Sequence, residues 1–183
     1  MNVSGNIKKF LKLKLKDRKL KRKDFVQGSG IPSSTLGNIT KSEHYSPTLR
    51  SIIIIAEYFE CSIDEVVGRN IYISLNTENY KFQIIDSESI GINLKNFLTE
   101  KVKKLNLNSY KLSRELGFNE HIIHDFIKED SLQQTLGSAV TIALADYFQV
   151  SVDEMIGRIK PVASSDNSEH SQQNSNRDTD MKI

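Results

Sequence analysis

Apolar residues recur at helical spacing along most of this chain, and the most informative stretch runs from Leu20 to Lys41. Phe25 and Val26 are the apolar positions of its first half, and Ile31, Leu36 and Ile39 are spaced to pack a second helix back on the first. Gly30, at the hinge, can take the positive φ that a tight turn needs. This reads as a helix-turn-helix over residues 20–41. Ser33, Ser34, Thr35, Asn38 and Lys41 are then left on the outer face of the second helix, behind the basic run Lys19–Lys23. Short hydrogen-bonding side chains on such a face suit a DNA major groove; the plainer alternative is a helical hairpin with a polar exterior.

The same periodicity places the neighbouring elements. Within residues 6–20, Ile7, Leu11 and Leu15 recur every four positions with Phe10 beside them, which predicts a helix despite the local Lys-Leu alternation. Pro47 ends the loop after the hairpin, and Leu49 to Phe59 carries enough apolar positions to be the central packing element of a small bundle. Ser62 and Glu65 fit a capping box and Gly68 a C-terminal cap, so a short last helix follows.

The layout then returns. Asn93–Leu98 echoes Asn6–Leu11, and Leu107, Gly117, Phe118, Ile123 and Phe126 fall 87 residues after Leu20, Gly30, Ile31, Leu36 and Ile39. Past a two-residue insertion, Ala145–Phe148 and Ser151–Arg158 repeat Ala56–Phe59 and Ser62–Arg69. A repeat in register over apolar, glycine and cap positions predicts two five-helix units of one all-α fold, at residues 1–69 and 91–160, joined by a linker at 70–90. Ile71–Leu75 in that linker alternates and suits either a short strand or an added helix. From residue 161 to 183 large apolar side chains nearly vanish, so a disordered tail is expected.

Charge changes this picture. Residues 1–69 hold thirteen Lys/Arg against seven Asp/Glu, whereas residues 90–160 hold nine of each, so a polyanionic partner would meet the N-terminal unit. A single cysteine, Cys61, leaves no internal disulfide and agrees with a reducing compartment. The longest apolar run, Ile52–Ala56, is far short of the ~20 residues a membrane span needs. A soluble, unexported, cytoplasmic protein at the nucleoid is expected. A basic amphipathic first helix lying on an anionic membrane is disfavoured by its narrow apolar stripe.

The order of elements, with Leu20, Phe25-Val26, Gly30-Ile31, Leu36, Ile39, Pro47-Thr48-Leu49, Ile52, Ile55-Ala56, Phe59 and Ser62-Ile63-Asp64-Glu65, resembles the lambda-repressor-like Cro/Xre helix-turn-helix family. The resemblance spans both units and is stronger in the first. It implies a transcriptional regulator, most simply a repressor, that binds double-stranded DNA without a cofactor. Base-reading positions carried over are Ser33, Ser34 and Asn38, with Thr35 adjoining; Lys21, Arg22, Lys41 and His44 look like phosphate contacts. Many family members carry longer amides or arginine where Ser33 and Ser34 stand, and Thr40 replaces a frequent glutamate, so modest sequence selectivity is expected. In the second unit the equivalents of Ser33, Ser34 and Asn38 are Glu120, His121 and Asp125, and those of Lys21 and Arg22 are Asn108 and Ser109. Two carboxylates aimed at a polyanion oppose binding, so this unit is read as degenerate, serving association through Glu120, His121, Ile122 and Asp125.

Two arrangements stay open at this stage. One chain could set its two units on half-sites ~34 Å apart, or residues 91–160 could form a homodimer. The competing function is a protein-interaction module, an antitoxin or anti-repressor-like partner that keeps the helix-turn-helix fold for contacts. Other chemistry finds little support. His121, His124 and Asp125 lack a further metal ligand nearby, and Gly28–Thr35 lacks the lysine of a phosphate loop and follows a helix instead of a strand. Cys61 reads as a core filler, and no nucleophile or carboxylate pair suggests an enzyme.

Overall fold

The computed structural model describes residues 2–42, 45–69, 80–131 and 135–161 of the chain. Five helices come first: α1 Val3–Asp17, α2 Arg22–Ser29, α3 Ser33–Lys41, α4 Leu49–Phe59 and α5 Ile63–Val67. After strand β1, Tyr80–Phe82, five more follow: α6 Ser87–Lys104, α7 Ser109–Glu115, α8 Ile122–Ile127, α9 Ser138–Phe148 and α10 Val152–Met155, then strand β2, Ile159–Pro161.

Local chemistry sets these boundaries. Asn2 accepts from the Gly5 N–H at 2.9 Å, so α1 starts earlier than its apolar stripe suggests. It stops at Asp17 because Lys19 adopts a left-handed φ of 53°, which leaves Leu20 outside the helix. Thr48 caps α4 through the Ser51 N–H at 3.2 Å, and Ser62 caps α5 through the Glu65 N–H at 3.0 Å. Helix α6 begins at Ser87, inside the span read as linker: Asp86 accepts from both the N–H and the hydroxyl of Ser89, and Ile90 is buried one residue further on.

The two strands depart from a purely helical reading. They pair antiparallel, Tyr80 with Pro161, Lys81 with Lys160 and Phe82 with Ile159. Three residues are too few to display an alternation in sequence. Ile71–Leu75, His44 and residues 162–183 lie outside the described residues.

Helix α4 is the centre of the first set. Ile52, Ile53, Ile55 and Ala56 lose all exposure there, at about 1.5–3 kcal/mol for each large aliphatic side chain. Phe59 stacks on Phe25 at 5.4 Å and meets Phe10 edge-on at 5.5 Å, which ties α4 to α2 and α1. Helices α1 and α4 both pack on α5, and α1 also on α3; in the second set α8 packs on α6 and α7, and α10 on α6 and α9. Helix α10 also packs on α5, and one continuous apolar core runs through both sets.

Backbone details recur between the sets. The left-handed residues fall into equivalent pairs: Lys19 and Asn106, Gly30 and Gly117, Glu60 and Gln149, Gly68 and Gly157. Asn6 donates to the Val67 carbonyl and Asn93 to the Ile156 carbonyl, each at 2.9 Å. Both amides lie against a positive-φ glycine, Gly68 or Gly157, where a Cβ would fall within 3 Å of the side chain.

Candidate nucleic-acid interface

Helix α2 ends at Gly30, whose φ of 70° turns the chain while its N–H donates to the Val26 carbonyl at 3.1 Å. Ile31 is buried immediately after, and Pro32 precedes α3. Helix α3 then buries Leu36 and Ile39, which leaves Ser33, Ser34, Asn38 and Lys41 exposed. Ser34, Asn38 and Lys41 stand at i, i+4 and i+7, one stripe along the outer face. Thr35 is half-buried at the edge of that face, less outward than its sequence position suggests. Thr40 bonds back to the Leu36 carbonyl at 2.8 Å. Among the described residues no side chain caps α3, so its first turn presents the positive end of the helix dipole beside Ser33 and Ser34.

Cations surround this stripe. Lys21 and Arg22 open α2, both exposed, and Lys21 donates its N–H to Asp24 at 3.1 Å. The Arg22 Nη2 lies 3.6 Å from where a Cβ on Gly37 would sit, which brings the guanidinium onto α3. Among the described residues, no ion pair engages Lys21, Arg22 or Lys41. By contrast, Lys14 pairs with Glu65 at 2.8 Å and Arg18 donates to the Phe59 carbonyl at 3.1 Å, so these two hold the bundle together.

The sequence reading missed a basic cleft at the end of α3. Ser4, near the start of α1, donates to the Ser42 carbonyl at 3.2 Å, and a cavity of about 380 Å3 opens there, lined by Asn2, Lys8, Lys9, Lys12 and Ser42 among others. The i, i+1, i+4 spacing of the three lysines was the available signal. It was absorbed into the amphipathicity of α1.

The equivalent surface of the second set differs in shape and charge. Helix α8 starts at Ile122, so Glu120 and His121 precede it instead of lining its first turn. Glu120 lies 3.8 Å from Arg114 and 3.5 Å from His121, and Asp125 pairs with Lys128 at 2.9 Å; the bond from Lys128 holds the Asp125 carboxyl below its usual range. Ile122 is half-buried and packs against the core, so it is not free on the surface as expected. Ser109 is buried and lies 3.3 Å from His124 Nδ1, and His124 stacks on Tyr110 at 4.2 Å. Asn108 caps α7 through the Lys111 N–H at 3.0 Å. Cys61 is buried, and burial pushes its thiol up to about 12.

A domain family described as Cro/C1-type HTH DNA-binding domain matches residues 10–70 of the chain. Two similar proteins are both called uncharacterized HTH-type transcriptional regulators. The one from Rickettsia prowazekii is 36% identical over 75 residues, 39% of this chain and 82% of its own length. The one from Rickettsia conorii is 35% identical over 74 residues, 39% of this chain and 68% of its own length. No solved structure matches the chain.

Proposed function

Since the chain belongs to the HTH-type transcriptional regulators and its residues 10–70 match the Cro/C1-type HTH DNA-binding domain, we propose that it is a transcriptional repressor that occupies a double-stranded operator through α3. The observation that carries this reading is the exposed stripe Ser34, Asn38 and Lys41, flanked by Ser33, Lys21 and Arg22 with no ion pair to satisfy the cations among the described residues. Ser33, Ser34 and Asn38, with Thr35 at the edge, contact base edges; Lys21, Arg22 and Lys41 contact phosphates, joined by Lys8, Lys9 and Lys12 along the cleft. The protein works at the nucleoid in the cytoplasm, without catalysis or a cofactor.

Residues 91–160 are read as a second, degenerate copy of the same fold. The paired left-handed residues and the matched Asn6/Gly68 and Asn93/Gly157 contacts support this. Self-association through residues 91–160 is the competing arrangement, and it would have to use a face other than the one on which α10 packs against α5. The internally paired Glu120 and Asp125 also favour a second reading, an antitoxin or anti-repressor-like interaction module.

The deciding experiment is selection from a random duplex library by the full chain over a salt series. Enrichment of one motif, with affinity that falls on a log-log salt plot, supports the repressor. Salt-dependent affinity without an enriched motif favours the interaction module.

A further inference from the structure

The contact between α5 and α10 is reciprocal. The Ile63 N–H donates to Asp153 Oδ2 at 2.8 Å, and the equivalent Val152 N–H donates to Asp64 Oδ2 at 3.2 Å. Arg158 donates to the Cys61 carbonyl at 3.0 Å, and the equivalent Arg69 donates to the Val150 carbonyl at 3.2 Å. Each arginine also pairs with the aspartate of its own set, Arg69 with Asp64 and Arg158 with Asp153. All four charged side chains are at most 2% exposed, and two cations balance two anions.

Residue i touching j while the copy of j touches the copy of i is the signature of a two-fold, isologous interface. Here it joins two stretches of one chain, Cys61–Arg69 and Val150–Arg158. The symmetry is incomplete: among the described residues, Ser151 Oγ donates to Asp64 Oδ2 at 2.5 Å with no matching bond from Ser62 to Asp153. Arg69 Nε also reaches Asp146 at 2.7 Å, whereas the corresponding atoms Glu57 Oε1 and Arg158 Nε are buried with no hydrogen-bond partner among the described residues, and the Arg158 guanidinium instead lies 4.8 Å over the Phe82 ring. The face that a second copy of the chain would need on α5 is therefore filled from within.

We propose that one chain is a complete, built-in dimer that binds DNA as a single chain per site. Resting on the repressor reading above, this further makes the operator asymmetric. A symmetric dimer presents the same recognition helix twice and selects an inverted repeat. This chain presents Ser33, Ser34 and Asn38 in one half, and Glu120, His121 and Asp125 with its carboxylates already paired in the other. Base reading falls to α3 alone.

The test is the mass of the full chain by light scattering, free and with the selected duplex, from nanomolar to high micromolar protein. The expected free mass is 20.8 kDa throughout, with one chain in the complex. The enriched motif should lack an inverted repeat, lose its preference at one base position in Asn38→Ala and be left intact by Asp125→Ala. Twice that mass, two chains per duplex, an inverted-repeat motif, or a changed motif in Asp125→Ala would overturn the proposal. A chain that stays at 20.8 kDa yet enriches no duplex upholds the built-in pairing and fails the repressor reading instead.

Discussion

Arg22 lies against Gly37, its Nη2 3.6 Å from where a Cβ would begin, and at the two equivalent positions of the second set Ser109 lies against His124. The pair is large over small in the first set and small under large in the second, which carries no permanent cation at that place. Placing one there therefore needs both changes. The double substitution Ser109→Arg with His124→Gly should tighten DNA binding and steepen the salt slope by about one unit, while Ser109→Arg alone should destabilise the fold by ~1–3 kcal/mol through overpacking against the imidazole. Titration of a selected duplex at several salt concentrations, with thermal melts of each variant, measures both effects.

Arg22→Ala and Lys41→Ala should weaken binding to all sequences alike and each lower the salt slope by about one. Asn38→Ala should instead relax preference at one base position, at ~1–3 kcal/mol of discrimination. Unchanged affinity and salt dependence in both cation variants would show that the phosphate surface lies elsewhere.

Gly28 and Gly30 sit two residues apart and resist substitution for different reasons. A Cβ on Gly28 would meet Tyr58 Cε2 at 2.8 Å, and that ring is held edge-on by Phe25 at 4.9 Å and Phe59 at 5.1 Å. Gly30 has open space around it but a φ of 70°. Gly28→Ala should thus cost ~1–3 kcal/mol by overpacking and Gly30→Ala about 1–2 kcal/mol from backbone strain, with Gly28→Ala the worse of the two in urea unfolding.

Burial pushes the Asp153 carboxyl up from 3.8 to about 6, with Arg158 only partly opposing it, and Asp64 moves the same way for the same cause. A carboxyl that holds its proton more tightly when folded adds stability below its unfolded value, and that contribution is lost as pH rises through its folded value. Asp153 should therefore contribute on the order of 2 kcal/mol more at pH 4 than at pH 7. Urea unfolding of the wild type and of Asp153→Asn across this range checks it: the stability difference between them should shift against the wild type as pH rises from about 4 to about 6.

Much of the architecture was legible because periodicity and glycines carry it. Leu36 and Ile39 are buried and Ser33, Ser34 and Asn38 exposed, as their spacing requires. Other features depended on tertiary partners that spacing cannot reveal. Ile122 sits where a recognition face was expected, yet α8 begins only there, and the core draws its side chain inward. Nothing in the identity of Gly37 announces that Arg22 needs the room, and nothing in the spacing of Asp64 and Arg69, or of Asp153 and Arg158, announces that each reaches across to the other set.

The joining of α5 to α10 within one polypeptide also alters what a mutation can do. In an assembly of two identical subunits every substitution appears on both sides of the axis, so an exchange that blunts one half blunts the other. With both halves encoded separately, Ser109 and His124 can differ from Arg22 and Gly37 at the equivalent places. The reciprocal bonds of Asp64 and Asp153 hold the halves in register throughout. One half is thus free to carry different side chains on an equivalent backbone, while the other carries the exposed stripe proposed to meet DNA.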